Sequence, residues 1–200
     1  AGAVAEEILE VMTSAANLSR AYVNDGGDIS LHLAPGEKFV VGMVERPDRA
    51  SLFGTTTIES CDSIRGIATS GWRGRSFSLG IADAVTVLAD TAAMADAAAT
   101  VVANAVDLPG HPRVGRVRAS DLAPDSDLGE RLVTQSVGDL TPSEIGEALE
   151  AGVRVAESLR GSGLIRAAAL NLQGETRVFG AEVRAQLADI PVSDGSLIHA

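Results

Sequence analysis

The chain has 200 residues, a formal net charge of −11, 46% hydrophobic and 22% charged residues, 3% aromatics and one cysteine. A surface of that sign repels phosphate backbones and argues against a nucleic-acid partner, while a local site can still take a phosphorylated small molecule. No apolar run reaches the ~18 residues of a membrane span, and a lone cysteine excludes a disulfide within the chain.

The stretch 3–18, "AVAEEILEVMTSAANL", places Val4, Ile8, Val11 and Met12 at helical spacing and predicts a helix. "RAYVN", the turn "DGGD" and "ISLHLA" read as strand, tight connection and strand. "PGEK" turns again into the strand "FVVGMVE", so an antiparallel meander is expected over about residues 20–45. "RPDRASLFGTT" reads as a loop. Cys61 is expected to be a small buried hydrophobe. "SIRGIATSG" ends a further strand, and "WRGR" continues its turn. "FSLGIADAVTVLAD" reads as a strand on which Asp83 shares a face with Ile81, Val85 and Val87. A carboxylate on an apolar face needs a partner or a metal. The next helix opens near Thr91, and residues 107–140 are expected to form a long irregular insertion of the kind that serves function or an interface. Thr141, Pro142 and Glu144 predict a helix opened by a capping box. "LIRAAALNLQ", "GE" and "TRVFG" close as a hairpin, and the tail from Ala181 is docked or loose. Strands in adjacent hairpins mixed with helices predict an α+β fold, one domain over 1–200 with two intimate lobes. No signal peptide is visible and the expected location is cytoplasmic, weakly constrained because the opening "AGAVAEE" has no methionine and residues can have been removed from the front.

Three polar residues interrupt the apolar helix "ADAAATVVANAV": Asp96, Thr100 and Asn104, at steps of four. At about 100° per residue, Asp96 and Thr100 stack on one face. They offer two hard oxygens to a cation such as Mg²⁺, leaving room for water and phosphate oxygens; equally, such a pair can simply face water. In "NDGGDIS", Gly26 and Gly27 permit positive φ and close ligand approach, with Asp28 at the mouth of the sheet; a plain meander turn explains them as well. "ATSG" supplies Thr69, Ser70 and Gly71 at a strand end, either lining a phosphate or forming a turn. His32 reads as a surface or satisfied residue and His199 as terminal, while His111 could reach a site here or on a neighbouring copy in a homo-oligomer. Trp72 covers the turn after Ser70 or stacks on a ligand. No zinc pattern and no Ser-His-Asp signature is present.

Taken in order, "NDGGDI" (24–29), "ATSG" (68–71) and "ADAAAT" (95–100) resemble three motifs of the ApbE family, the FAD:protein FMN transferases. The likeness runs from about residue 4 to 106, with a fainter echo over 143–180. It implies a two-lobed, T-fold-like arrangement of antiparallel sheet covered by helices. It also implies Mg²⁺ on Asp96 and Thr100 with a backbone carbonyl near the start of the first helix. FAD or FMN would lie in a cleft lined by Gly26, Gly27, Asp28, Thr69, Ser70 and Gly71, with Asp83 beside it. The family carries a histidine in a Ser-His-Ile-Ile-Asp-Pro-x-Thr-Gly segment, and here the corresponding "SFSLGIADAV" has none. With "TSGW" and "SLGIADAVTV" the chain resembles a shortened, uncharacterised branch of that superfamily. A non-catalytic cofactor-binding module or a structural subunit stands as the alternative to flavin transfer.

Overall fold

The computed structural model describes residues 1–46, 49–180 and 197–199, and for 43–46, 49–54 and 197–199 the backbone alone. Four helices, α1 (Gly2–Ala15), α2 (Ala92–Ala105), α3 (Ala119–Leu122) and α4 (Pro142–Gly161), accompany the strands among these residues. Six strands form one antiparallel sheet, in the order β1 (Arg20–Asp25), β2 (Asp28–Leu33), β5 (Gly66–Ser70), β6 (Ala84–Ala89), β9 (Ala167–Leu172) and β10 (Glu175–Gly180). Strands β3 (Lys38–Arg46) and β4 (Arg49–Glu59) pair with each other, and β11 (Leu197–His199) adds to β3 in parallel. A separate pair, β7 (Val114–Arg118) and β8 (Leu132–Val137), completes the set. The fold class is α+β.

The sheet has an apolar core on each face. On one, Val85, Val87, Ala168 and Leu170 meet Ala95, Ala99 and Val102 of α2 and Ala148 and Leu149 of α4. On the other, Ile29, Leu31, Ile67 and Leu88 meet Phe39, Val41 and Ile58 of the β3–β4 pair. Alternation puts neighbours such as Ile67 and Ala68 on opposite faces, so strands buried on both sides read as continuous apolar runs. The alanines of α2 allow a close approach. A Cβ added to Gly66 would stand 2.0 Å from the Thr91 carbonyl oxygen and 2.3 Å from the Ala92 nitrogen. Both obstacles are backbone, so Gly66→Ala must push α2 off the sheet, and an equilibrium urea titration should show a loss of about 2–3 kcal/mol.

Helix α2 opens at Ala92, next to the expected Thr91, and α4 opens with the expected capping box. Thr91 caps α2, accepting from the Met94 N–H at 3.2 Å. Thr141 and Glu144 form the capping box of α4, with Pro142 in its first turn.

Several expectations are corrected. Helix α1 forms as expected but ends at Ala15 rather than Leu18; Gly2, Ala5 and Leu9 are its buried face, and Val4, Ile8, Val11 and Met12 are exposed. The helix carries apolar residues on two sides, and spacing alone cannot say which side meets the sheet. The expected three-strand meander breaks after β2, because β3 leaves to pair with β4. Most of the expected loop "RPDRASLFGTT" is strand β4; Pro47 and Asp48 lie outside the described residues. The strand expected from Phe77 starts only at Ala84. Instead of a long irregular insertion, residues 107–140 hold β7, α3 and β8. This unit docks through the Thr134 hydroxyl, which donates to the Gly80 carbonyl at 2.8 Å, and through Arg116, which donates to Asp107 and to the Leu79 carbonyl. Cys61 is exposed rather than buried. The tail over 181–196 lies outside the described residues, while the His199 backbone pairs with Gly42. No helix among the described residues is long and apolar enough to cross a membrane.

Candidate functional site

Antiparallel pairing brings the β1–β2 turn, the end of β5 and the approach to β6 to one end of the sheet. Ser70 pairs with Val85, and Ile29 with Ile67. Helix α2 runs past this end, and between them lies a cleft of about 250 Å³. Its lining includes Gly26, Gly27, Asp28, Thr69, Ser70, Gly71, Asp83, Asp96 and Thr100, the residues expected to hold a metal or a cofactor, whereas Asn104 and Trp72 are not part of it.

The turn between β1 and β2 has φ of +72° at Gly26 and +110° at Gly27, both positive as a tight type I′ connection requires. The Asn24 side chain accepts from the Gly27 N–H at 2.8 Å and holds the turn shut. Asp28 follows at the start of β2. Burial pushes its carboxyl up to about 6, and the nearby Asp96 and Asp25 carboxylates add to this. The Ala1 amino group and a hydrogen bond from the Thr69 backbone act the other way. The folded chain therefore holds this proton more tightly than the unfolded chain does. Stability falls as pH rises from the ordinary carboxylate range through about 6, and the cost remains above that. Asp28→Asn removes the cost. After discounting for its half-exposed position, the variant should gain about 1 kcal/mol near pH 8 and nothing near pH 4, read from denaturant midpoints at the two pH values.

Asp96 sits in the second turn of α2. Its Oδ2 accepts from the Gly2 N–H at 2.9 Å, and from the Ala1 amino nitrogen at 3.0 Å. Glu6 of α1 returns the favour by accepting from the Ala93 N–H of α2 at 2.8 Å. Each helix thus satisfies a free amide of the other, as carboxylates at helix N-termini do. Thr100, one turn on, is exposed on the cleft side. Asn104 belongs elsewhere: its Oδ1 accepts from the Ser78 hydroxyl at 3.2 Å and the Leu79 N–H at 2.9 Å, fixing the segment before β6.

Asp83 is buried and fully employed. Its Oδ1 accepts from Arg73 Nε at 2.6 Å and Trp72 Nε1 at 3.1 Å, and its Oδ2 from the Gln173 N–H at 2.6 Å. The partner that an apolar setting demanded is an arginine, whose guanidinium also lies 4.4 Å from the centroid of the Trp72 ring. Asp83 precedes β6, so the face-sharing alternation does not apply to it.

His32 and His111 are not part of the cleft lining. His32 Nε2 is 3.0 Å from the Leu18 carbonyl, and His111 Nε2 is 2.9 Å from Glu144. Among the described residues no group of three His, Cys, Asp or Glu is arranged to hold a metal.

Arg75 also lines the cleft, with Asp25, Gly74 and Ser76, and pattern reading passed over it. Two arginines inside four residues at a glycine-rich turn, in a chain with 16 basic against 27 acidic residues, were the available signal.

Residues 1–178 match the model of the family described as "AbpE bacteria". The chain belongs to that family. The AbpE bacteria match takes in the whole six-stranded sheet up to Val178 and every cleft residue named above. The chain is also similar to a UPF0280 protein of Methanopyrus kandleri, 35% identical over 136 residues, or 66% of this chain and 52% of that one. UPF0280 proteins of Methanosarcina acetivorans and Methanococcoides burtonii are each 37% identical, over 54% and 57% of this chain and 42% and 46% of theirs. This AbpE bacteria chain spans about half the length of the relatives it matches.

Proposed function

We propose that the cleft binds Mg²⁺ together with a phosphorylated small molecule of the flavin-nucleotide class, FAD or FMN. One observation carries the reading. Three stretches far apart in the chain, chosen for their likeness to ApbE motifs, converge with their polar side chains on a single hollow.

The residues suit a divalent cation. Burial and the carboxylates at 25 and 96 already crowd Asp28 toward its neutral form, and a cation at this point relieves that crowding. Mg²⁺ commonly takes only one or two protein carboxylates and keeps several waters, so a site without a third acidic ligand is adequate. Asp96 and Thr100 are its proposed ligands, and the start of α1, where the resemblance puts a carbonyl ligand, lies against Asp96. Bound there, the ion supplies charge neutralisation for a pyrophosphate and for a departing phosphate. Gly26 and Gly27 leave the turn open to close approach, and Thr69 and Ser70 present hydroxyls. Pockets that enclose a whole drug-sized ligand run to about 300–1,000 Å³, so this cleft fits the phosphate-bearing part of a dinucleotide.

A second reading, binding without transfer, draws on the side chains at hand. Asp83 is engaged by three donors, and no histidine is among the described residues lining the cleft, so neither offers a free base there. Thermal melting with Mg²⁺, FAD and both together tests the proposal. FAD should raise the melting temperature only when Mg²⁺ is present. No shift with both, or equal shifts with and without Mg²⁺, would sink it. Release of AMP from FAD separates transfer from binding alone.

A further inference from the structure

Four carboxylates, Asp25, Asp28, Asp83 and Asp96, line the cleft, and one arginine, Arg75, lines it with them. An arginine among so many carboxylates ordinarily pairs with one, as Arg73 does with Asp83 at 2.6 Å. Arg75 forms no hydrogen bond or ion pair among the described residues, although it stands only two positions further on. Its guanidinium instead lies across the bare backbone of the β1–β2 turn: a Cβ added to Gly26 would be 1.8 Å from Nη2 and 3.1 Å from Cζ. The hydroxyl residues Thr69, Ser70 and Ser76 line the same hollow.

We propose that Arg75 is the anion anchor of the cleft, taking two non-bridging oxygens of a phosphate ester or pyrophosphate whose remaining charge faces the carboxylate-bound cation. The inference rests on the metal-dependent reading above and adds the residue that selects the anion. A hollow lined by four carboxylates repels an anion unless fixed positive charge offsets them. A planar guanidinium meets phosphate oxygens through two parallel N–H donors, and being unpaired it gives up no ion pair on binding. Glycine at position 26 serves this arrangement twice, since its φ is +72° and any side chain there would displace the guanidinium.

Calorimetric titration of the whole chain with Mg²⁺ alone, and then with inorganic pyrophosphate in excess Mg²⁺, tests it. Arg75→Ala should not weaken Mg²⁺ binding, since it removes a like charge from the same hollow, and should weaken pyrophosphate about tenfold or more, whereas Arg75→Lys, which keeps the charge and loses the fork, should fall between. Arg75 is exposed and makes no bond among the described residues, so these variants are expected to keep the fold. Arg177→Ala, on β10 and paired with Glu175, removes the same charge outside the cleft and should change neither affinity. The proposal is overturned by wild-type pyrophosphate affinity in Arg75→Ala, by an equal loss in Arg177→Ala, or by a wild type that binds Mg²⁺ but not pyrophosphate. A wild type that binds pyrophosphate through Arg75 but binds no Mg²⁺ overturns the metal reading alone.

Discussion

Asp96→Ala is expected to abolish the proposed Mg²⁺-dependent stabilisation by FAD and to lower the intrinsic stability by about 1 kcal/mol, the usual worth of a helix-capping acceptor. The two effects have separate origins. The carboxylate is a proposed cation ligand, and its Oδ2 already accepts from the Gly2 N–H at the start of α1. Asp96→Asn divides them, because an amide oxygen still accepts that N–H while the charge is gone. The asparagine variant gives up only the partly exposed ion pair with the Ala1 amino group, so it should melt within about 0.5 kcal/mol of wild type and still fail to bind Mg²⁺. Losing the charge also lets the Asp28 carboxyl fall back toward its ordinary range, since Asp96 is one of the groups that raise it. The pH-dependent loss of stability should then be smaller than in wild type. Mg²⁺ binding retained in both variants would remove Asp96 from the site.

Asp83→Ala carries the largest expected loss of stability, about 3 kcal/mol, because it strands partners rather than merely deleting a contact. Arg73 would keep a charge in a setting where its side chain is 29% exposed, and the Trp72 and Gln173 N–H groups would lose their acceptor. The partial exposure of Arg73 sets the figure at the lower end of what breaking a buried pair costs. A urea titration should show a lower midpoint with an unchanged slope. The damage is architectural, since Asp83 ties the Trp72–Arg73 turn to the β9–β10 connection and so holds one wall of the cleft. A loss under about 1 kcal/mol would mean that these hydrogen bonds are exchanged freely for water.

Asp83 and Asn104 also show how far a pattern can be taken. Both were marked as polar residues in apolar surroundings, and both turn out to be satisfied by partners that no spacing rule names. For Asp83 the partners are 10, 11 and 90 residues away, and for Asn104 they are 25 and 26. Arg75 was passed over for the converse reason. Nothing in "WRGR" separates the arginine that pairs from the one that stays unpaired.

What could be read from the chain alone was chemistry acting over a few residues. It comprised the positive φ of Gly26 and Gly27, the helix opening near Thr91, the cap at Thr141, the stacking of Asp96 over Thr100, and the order of three motifs. These are set by local sterics and hydrogen bonding, which need no knowledge of the rest of the molecule. The tertiary structure alone decided that Leu9 rather than Ile8 faces the sheet, that β3 departs to pair with β4, that residues 107–140 hold a strand pair, and that Arg75 lies over Gly26. Each of those outcomes depends on which apolar surfaces meet once distant segments close on one another, and that competition is settled by packing across the whole chain.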